Sequence, residues 1–113
     1  MHLNIEDFVV PDADRVDAVA AQLRLLCDPT RLRILCALAQ GESDVSCLAQ
    51  LVGAGVPTVS QHLAKLRLSG VVRPRRDGQR MIYELVDATV RDLVRQLLDD
   101  GVHAGSGRGG ARR

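Results

Sequence analysis

Apolar residues recur every three or four positions along the first two thirds of the chain, which is the spacing that lines one face of an α-helix. Four successive segments show it, at 14–27, 29–40, 45–52 and 57–69. The stripe of the first segment is Val16, Val19, Ala20, Leu23 and Leu26. We therefore predict four consecutive helices, each of which buries an apolar stripe.

Residues with known capping preferences mark where these helices begin and end. Asp28 is a good N-cap, and Pro29 is tolerated at the first helical position. Pro57 suits the first turn of the fourth helix and biases Val56 toward an extended conformation just outside it. These caps leave only short connections between successive helices. Glycine ends the second, third and fourth helices, at Gly41, Gly53 and Gly70.

After the fourth helix the helical spacing gives way to alternation. Residues 71–75 and 80–85 alternate as half-buried strands do, and Asp77-Gly78 between them is a strong hairpin signal. Helical spacing returns at 87–100. The predicted order is α-α-α-α-β-β-α, a mainly α fold with a small β-hairpin wing. Helices two to four and the hairpin together predict a winged helix-turn-helix.

The length of 113 residues suits one domain. We assign 14–100 to that domain, 1–13 to an N-terminal arm, and the Gly- and Arg-rich residues 101–113 to a disordered tail. Aromatic residues make up 2% of the chain, so the core must consist of Leu, Val, Ile and Ala.

Positive charge is concentrated in the fourth helix and the hairpin, although the net charge is only +1. Residues 57–80 contain six Lys or Arg against one acid, whereas residues 1–30 contain six acids against two Arg. Such a patch is the electrostatic footprint of phosphate contact, and the alternative is a merely solvated face. The candidate DNA-binding residues are Thr58, Ser60, Gln61, His62, Lys65, Arg75, Arg76 and Arg80. For His62, packing beside the inward stripe and metal binding are the alternatives, of which metal binding is the weaker.

The partner these residues suit is double-stranded DNA. A helix of this kind enters the major groove, its N-terminus favours a phosphate, and a basic wing contacts the backbone or the minor groove. One Phe, one Tyr and no Trp leave no aromatic platform for stacking single-stranded bases. The sequence shows no glycine-rich phosphate loop or nucleophile elbow, so we do not expect an enzyme. A winged helix used only for protein contact is the competing class, but it needs no positive patch.

Cellular location and thiol chemistry are constrained by two further patterns. No apolar run of 18 residues is present and the acidic N-terminus does not resemble a secretory signal, so we expect no membrane association and a cytoplasmic location. Cys27, Cys36 and Cys47 are spaced 9 and 11 apart, which fits neither a disulfide framework nor a CxxC metal site. We interpret them as small, reduced, buried side chains, with a thiol sensor as the alternative.

Three ordered motifs carry a family resemblance: LCDPTRLRILCAL at 26–38, VPTVSQHLAKLRLSGVV at 56–72 and RRDGQRMIYEL at 75–85. With these motifs the chain resembles ArsR/SmtB-type bacterial transcriptional regulators over residues 14–103. The resemblance implies a winged-helix homodimer that binds a partly palindromic operator, with the first and last helices at the dimer interface. It also implies recognition helices that meet major grooves about 34–36 Å apart.

Regulators of this type commonly sense metals, and one family metal site lies between subunits on the last helix. By resemblance its four positions fall on Asp87, Thr89, Asp100 and His103. Asp87, Asp100 and His103 can bind a divalent ion, whereas Thr89 replaces an expected His. The implied ligand is Ni2+, or Co2+ or Zn2+, at a degenerate inter-subunit site that folding does not require. A surface role for His103 is the alternative.

Other metal arrangements are less well matched. The second family site is a thiolate pair in the third helix, and here Asp44 and Ser46 occupy its positions while Cys47 is one residue out of phase. His2 could bind an ion with the terminal amine, although a terminal His is usually disordered. Because the inter-subunit site is degenerate, the alternative remains that a separate partner protein senses the metal and contacts this dimer.

Overall fold

The computed structural model describes the backbone of residues 4–107 and the side chains of residues 4–99. After a 3-10 turn at Ile5–Asp7, its elements in chain order are α1 (Ala13–Leu26), α2 (Pro29–Gln40), β1 (Ser43–Asp44), α3 (Val45–Val52), α4 (Val56–Leu68), β2 (Val72–Asp77), β3 (Arg80–Leu85) and α5 (Ala88–Gly107). The predicted order of helices and hairpin is confirmed within this part of the chain, with one strand added.

The added strand, β1, turns the hairpin into an antiparallel sheet. In the described chain this sheet has three strands in the order β1-β3-β2. Ser43 pairs with Tyr83 and Asp44 with Ile82. Two residues are too few to show alternation, so the sequence gives no signal for β1. Strand β1 ends at Asp44, which is the N-cap of α3, so it joins the wing to the start of that helix.

Aspartates cap the starts of α2 and α3; Asp28 was predicted for α2, whereas no cap was predicted for α3. The Asp28 carboxylate accepts from the Arg31 N–H at 3.0 Å, and the Asp44 carboxylate accepts from the Cys47 N–H at 2.8 Å. The Arg31 N–H bond lowers the pKa of Asp28, because it favours the charged carboxylate. These caps fix the starts of α2 and α3.

Two predicted boundaries were wrong because hydrogen bonds continue past them. Val56 is the first residue of α4 rather than an extended residue outside it, since the Gly55 carbonyl accepts from the Val59 N–H at 3.0 Å and makes Gly55 the cap. Val71 is not part of β2, because its N–H donates back to the Leu66 carbonyl at 2.9 Å and closes α4. Strand β2 instead extends to Asp77.

The last helix is also longer than predicted. Its backbone is helical through Gly107, whereas the helix was expected to end at Asp100 and the tail to begin at 101. Glycine lowers helix propensity without forbidding a helix, so the Gly-rich composition overstated the break. The rest of the predicted tail, 108–113, lies outside the described residues.

The core is aliphatic, as the composition predicted. It is centred where α2, α3 and α4 pack together, and β2, β3 and α5 close it. Its largest fully buried side chains are Ile34, Leu35, Leu48, Leu63, Leu66 and Leu85. None of the helices in residues 4–107 is long and apolar enough to cross a membrane.

The stripe of α1 is the exception to the predicted burial. Val16, Val19 and Leu23 are 47%, 50% and 55% exposed, and Leu26 is the one residue of α1 that is buried. The prediction of a buried stripe was therefore wrong for the single chain. No described element covers this side of α1.

Candidate nucleic-acid interface

The turn between α3 and α4 sets the angle of the helix predicted to enter DNA. Gly53 ends α3 with φ of 70°, a left-handed conformation that favours glycine. Both the Gly53 and the Ala54 N–H groups donate to the Ala49 carbonyl, at 3.0 and 3.1 Å. Gly55 then caps α4 in an extended conformation. Three residues thus connect the two helices, and no side chain caps the N-terminus of α4.

Helix α4 has one apolar and one polar face. Val59, Leu63 and Leu66 are completely buried. The opposite side, which we call the outer face of α4, carries exposed polar side chains together with the open helix N-terminus, where N–H groups and the helix dipole favour a phosphate. The four predicted residues of this helix, Thr58, Ser60, Gln61 and Lys65, are all exposed.

His62 lies at the edge of this face and is half-buried. Its Nδ1 accepts a hydrogen bond from Nε of Arg31 at 3.1 Å. The imidazole therefore has a partner inside the protein on one side of the ring. Its predicted DNA contact stays a prediction, and Arg31, 31 residues away, was not singled out by any sequence pattern.

The wing is an antiparallel hairpin with its basic residues near the tip. Asp77 pairs with Arg80 at the last rung, and Arg76 pairs with Met81. Gly78 in the turn has φ of 66°, which explains the Asp-Gly signal. Arg75, Arg76 and Arg80 are all exposed, so the structure places the three predicted wing residues on the surface.

Acidic residues from outside the basic segment neutralise part of the wing. Arg75 forms an ion pair with Glu42, and Nε of Arg80 lies 2.9 Å from Oδ2 of Asp44. For Arg76 no ion pair is found with any described residue. The charge of residues 57–80 alone therefore overstates the positive potential of the wing, because the neutralising acids lie more than 30 positions earlier.

Asp44 has two tasks. Its Oδ1 caps α3 through the Cys47 N–H, and its Oδ2 accepts from Arg80. The Cys47 N–H and, to a lesser extent, Arg80 lower the pKa of this carboxyl. A single ionised side chain thus ties the wing to the helix-turn-helix.

The predicted metal residues are only partly within the described side chains. Asp87 caps α5, with Oδ1 accepting from the Val90 N–H at 2.9 Å, while Oδ2 accepts from Nε2 of Gln22 on α1 at 3.0 Å. Thr89 is exposed. Asp100, His103 and His2 lie outside the described side chains, within which no group of three or more metal-binding residues occurs.

The cysteines differ from their predicted burial. Cys36 is partly buried, and burial raises the pKa of its thiol because the thiolate is poorly solvated there. Cys27 and Cys47 are exposed, which corrects the prediction that they are buried. Cys27 follows the last residue of α1, where the chain leaves the core.

Comparison with known proteins places this arrangement. Residues 28–73 match the model of the bacterial regulatory protein, arsR family. The HTH-type transcriptional regulator KmtR of Mycobacterium tuberculosis is 46% identical over 98 residues, which cover 87% of this chain and 75% of that protein. The chain belongs to the ArsR family. It is thus a DNA-binding transcriptional regulator, and the prediction that it is not an enzyme is confirmed.

Solved ArsR-like structures share the fold. The transcriptional repressor BigR from Xylella fastidiosa is 41% identical, with a TM-score of 0.70 over 75% of this chain and 87% of that one. A homodimeric winged helix-turn-helix DNA-binding domain from Mycobacterium bovis is 32% identical, with a TM-score of 0.67 over 89% and 92% of the two chains. The predicted winged-helix fold is therefore confirmed.

Proposed function

We propose that this ArsR-family chain binds a partly palindromic operator as a homodimer, and that a divalent metal ion, nickel first, controls the binding. The observation that carries the DNA part is the exposed outer face of α4 beside the basic wing. Thr58, Ser60, Gln61 and Lys65 would enter the major groove, while Arg75, Arg76 and Arg80 would contact the backbone or the minor groove.

The proposed dimer uses the apolar residues that the single chain leaves exposed. On α1 these are Val16, Val19 and Leu23, and on α5 they are Leu93 and Leu97, which are 44% and 52% exposed. A twofold axis through these helices would present two α4 helices to successive major grooves about 34–36 Å apart. The homodimeric neighbour from Mycobacterium bovis supports this assembly.

Metal binding is proposed at Asp87, Asp100 and His103, across the dimer. Two carboxylates and one imidazole suit borderline divalent ions such as Ni2+, Co2+ or Zn2+. Asp87 is half-buried and already accepts a hydrogen bond from Gln22. A cation bound by Asp87 would weaken this bond between α1 and the start of α5, which would give the proposed site a way to act on the dimer helices.

The experiment is fluorescence anisotropy of the full chain with a duplex from its own promoter region, with and without nickel, cobalt and zinc. We expect tight, salt-dependent binding that one metal changes by about tenfold or more, equal to ~1.4 kcal/mol of coupling. His103→Ala should remove this response and leave the metal-free affinity intact. A response retained in His103→Ala would move the sensor away from α5.

A second candidate keeps the DNA binding and places metal sensing in a separate partner protein. Thr89 favours it, because a hydroxyl stands where the resemblance requires an imidazole. Tight DNA binding that none of the three metals alters would support this candidate over the first.

A further inference from the structure

A single arginine side chain joins three helices beside the outer face of α4. Arg31 lies in the first turn of α2. Its Nη1 donates to the Leu25 carbonyl near the end of α1 at 2.8 Å, and its Nε donates to Nδ1 of His62 on α4 at 3.1 Å. A planar guanidinium makes both bonds at once because its donors are held in a fixed fork.

Each of these two hydrogen bonds contacts a different helix. The Leu25 carbonyl is one of the last four of α1, which have no partner within the helix and carry its negative dipole end, so a cation stabilises it there. The bond to His62 is the one side-chain hydrogen bond that links α4 to another helix in the described chain. The rest of α4 is held by buried aliphatic side chains, whose packing is less directional than a hydrogen bond.

The bond also determines the state of the imidazole. Because Nδ1 accepts from Arg31, the proton of the neutral ring must lie on Nε2. Nε2–H is then the donor that the ring can offer to another group. Arg31 therefore fixes both the orientation of His62 and the nitrogen that donates.

We propose that Arg31 is a positioning residue for sequence-specific DNA binding, which holds α4 in place relative to the end of α1 by orienting His62. The inference rests on the operator binding proposed above. Arg31 acts here through His62 and not on DNA. Its loss should therefore lower the preference for the operator over random DNA and leave the salt dependence of binding unchanged.

A double-mutant cycle on DNA tests this role. Arg31→Gln, His62→Gln and the double variant are titrated with operator and random duplexes over a range of salt, with Arg33→Gln as the matched control because Arg33 is exposed on the same helix. We expect Arg31→Gln to lose about tenfold in operator preference, equal to ~1.4 kcal/mol, and the double variant to lose no more than either single variant. Arg33→Gln should behave like the wild type.

Two results of this cycle would overturn the proposal. Equal loss on both duplexes, with the salt slope reduced by about one, would make Arg31 a phosphate contact. Additive losses in the double variant would show that Arg31 and His62 act independently. If Arg31→Gln does not fold, His62→Asn, whose Oδ1 can accept near the position of Nδ1, should keep the operator preference that His62→Gln loses. Equal losses in these two variants would also contradict the proposal.

A measurement without DNA separates this inference from the proposed function. The tautomer is measured by 15N NMR of the histidine-labelled full chain. The signals of His62 are identified because they are missing from the spectrum of His62→Gln. The neutral His62 ring should be the Nε2–H tautomer in the wild type and in Arg33→Gln, and a mixture in Arg31→Gln. If the wild-type protein showed no preference for the operator, the proposed function would be contradicted. The tautomer of His62 would still show whether Arg31 orients the His62 ring. A wild-type ring protonated on Nδ1 would refute the hydrogen bond.

Discussion

Gln61 shows what a single exposed residue of α4 can contribute. Its side chain is exposed, and a Gln amide can pair with two groups on the edge of adenine in the major groove. Gln61→Ala should therefore weaken operator binding by about 1–3 kcal/mol and leave binding to random DNA almost unchanged. Anisotropy titrations on both duplexes measure the two losses. An equal loss on both would remove Gln61 from base recognition.

The wing arginines differ in how much charge they can offer to DNA. Arg76 has no ion-pair partner among the described residues, whereas Arg75 and Arg80 are each paired with an acid. Arg76→Ala should weaken binding to all DNA sequences alike. It should also reduce the salt slope by about one, because one counterion fewer is released from the DNA on binding. The slope of log K against log salt is the measurement, and an unchanged slope would mean that Arg76 does not reach a phosphate.

The acid beside Arg75 competes with phosphate for the same guanidinium. Glu42→Gln should therefore increase affinity for both operator and random DNA, and steepen the salt slope, because Arg75 becomes free to neutralise a phosphate. Glu84→Gln is the matched control, since it releases Arg73 at the other end of β2 from the tip. If the two variants behaved alike, the gain would reflect net charge alone.

At the scale of elements, Asp44 couples the start of α3 to the wing. The Cys47 N–H lowers the pKa of Asp44, so the folded state favours the ionised form. The ionised Asp44 carboxylate therefore stabilises the folded state fully above the ordinary pKa of an aspartate. This stabilisation is lost as the pH falls through the lowered pKa of the folded state. Asp44→Asn, which keeps a good cap, should make unfolding by urea less dependent on pH across this acidic range.

Comparison with a second substitution separates the cap from the ion pair. Asp44→Ala loses both and should be less stable than Asp44→Asn at neutral pH, because alanine cannot accept from the Cys47 N–H. Urea midpoints of the two variants give the comparison. If both variants kept the wild-type dependence on pH, another carboxyl would be responsible.

The elements that the sequence predicts well are those defined by local signals. The ends of α2 and α3 follow from Asp28, Gly41 and Gly53, each within a few positions of the helix it bounds. By contrast, β1 exists only because Ser43 and Asp44 pair with β3, about 40 positions later. Pairings of this length leave no periodicity in the sequence.

The same distinction holds for the candidate interface. The outer face of α4 was predictable because helical spacing separates Val59, Leu63 and Leu66 from the polar residues between them. The pairing of Arg75 with Glu42, of Arg80 with Asp44 and of His62 with Arg31 was not, since each partner lies more than 30 positions away. On α4 and the wing the sequence therefore predicts which residues are on the surface, and the structure shows which of them already have partners.

At the scale of the whole molecule, exposed aliphatic side chains on α1 and α5 need a partner. The helical spacing of Val16, Val19 and Leu23 was interpreted as a core stripe, yet these residues are about half exposed. An apolar stripe on an amphipathic helix marks an interaction surface when the chain's own core does not cover it. In the homodimer proposed above, a second copy of the chain would resolve this discrepancy, because the same residues would then form the core of the dimer.

A substitution that prevents dimer formation should therefore also lower the affinity for the operator. Val19→Glu places a charge in the middle of the α1 stripe, so the protein should become monomeric in sedimentation velocity, whereas Leu68→Glu, at an 88% exposed position at the end of α4, should stay dimeric. Two linked DNA-binding modules gain about 10²–10⁴ in avidity over one. The monomer should thus lose about 100-fold or more on a full operator and little on a single half-site. A monomeric Val19→Glu that kept full operator affinity would show that one α4 and one wing are sufficient for specific binding.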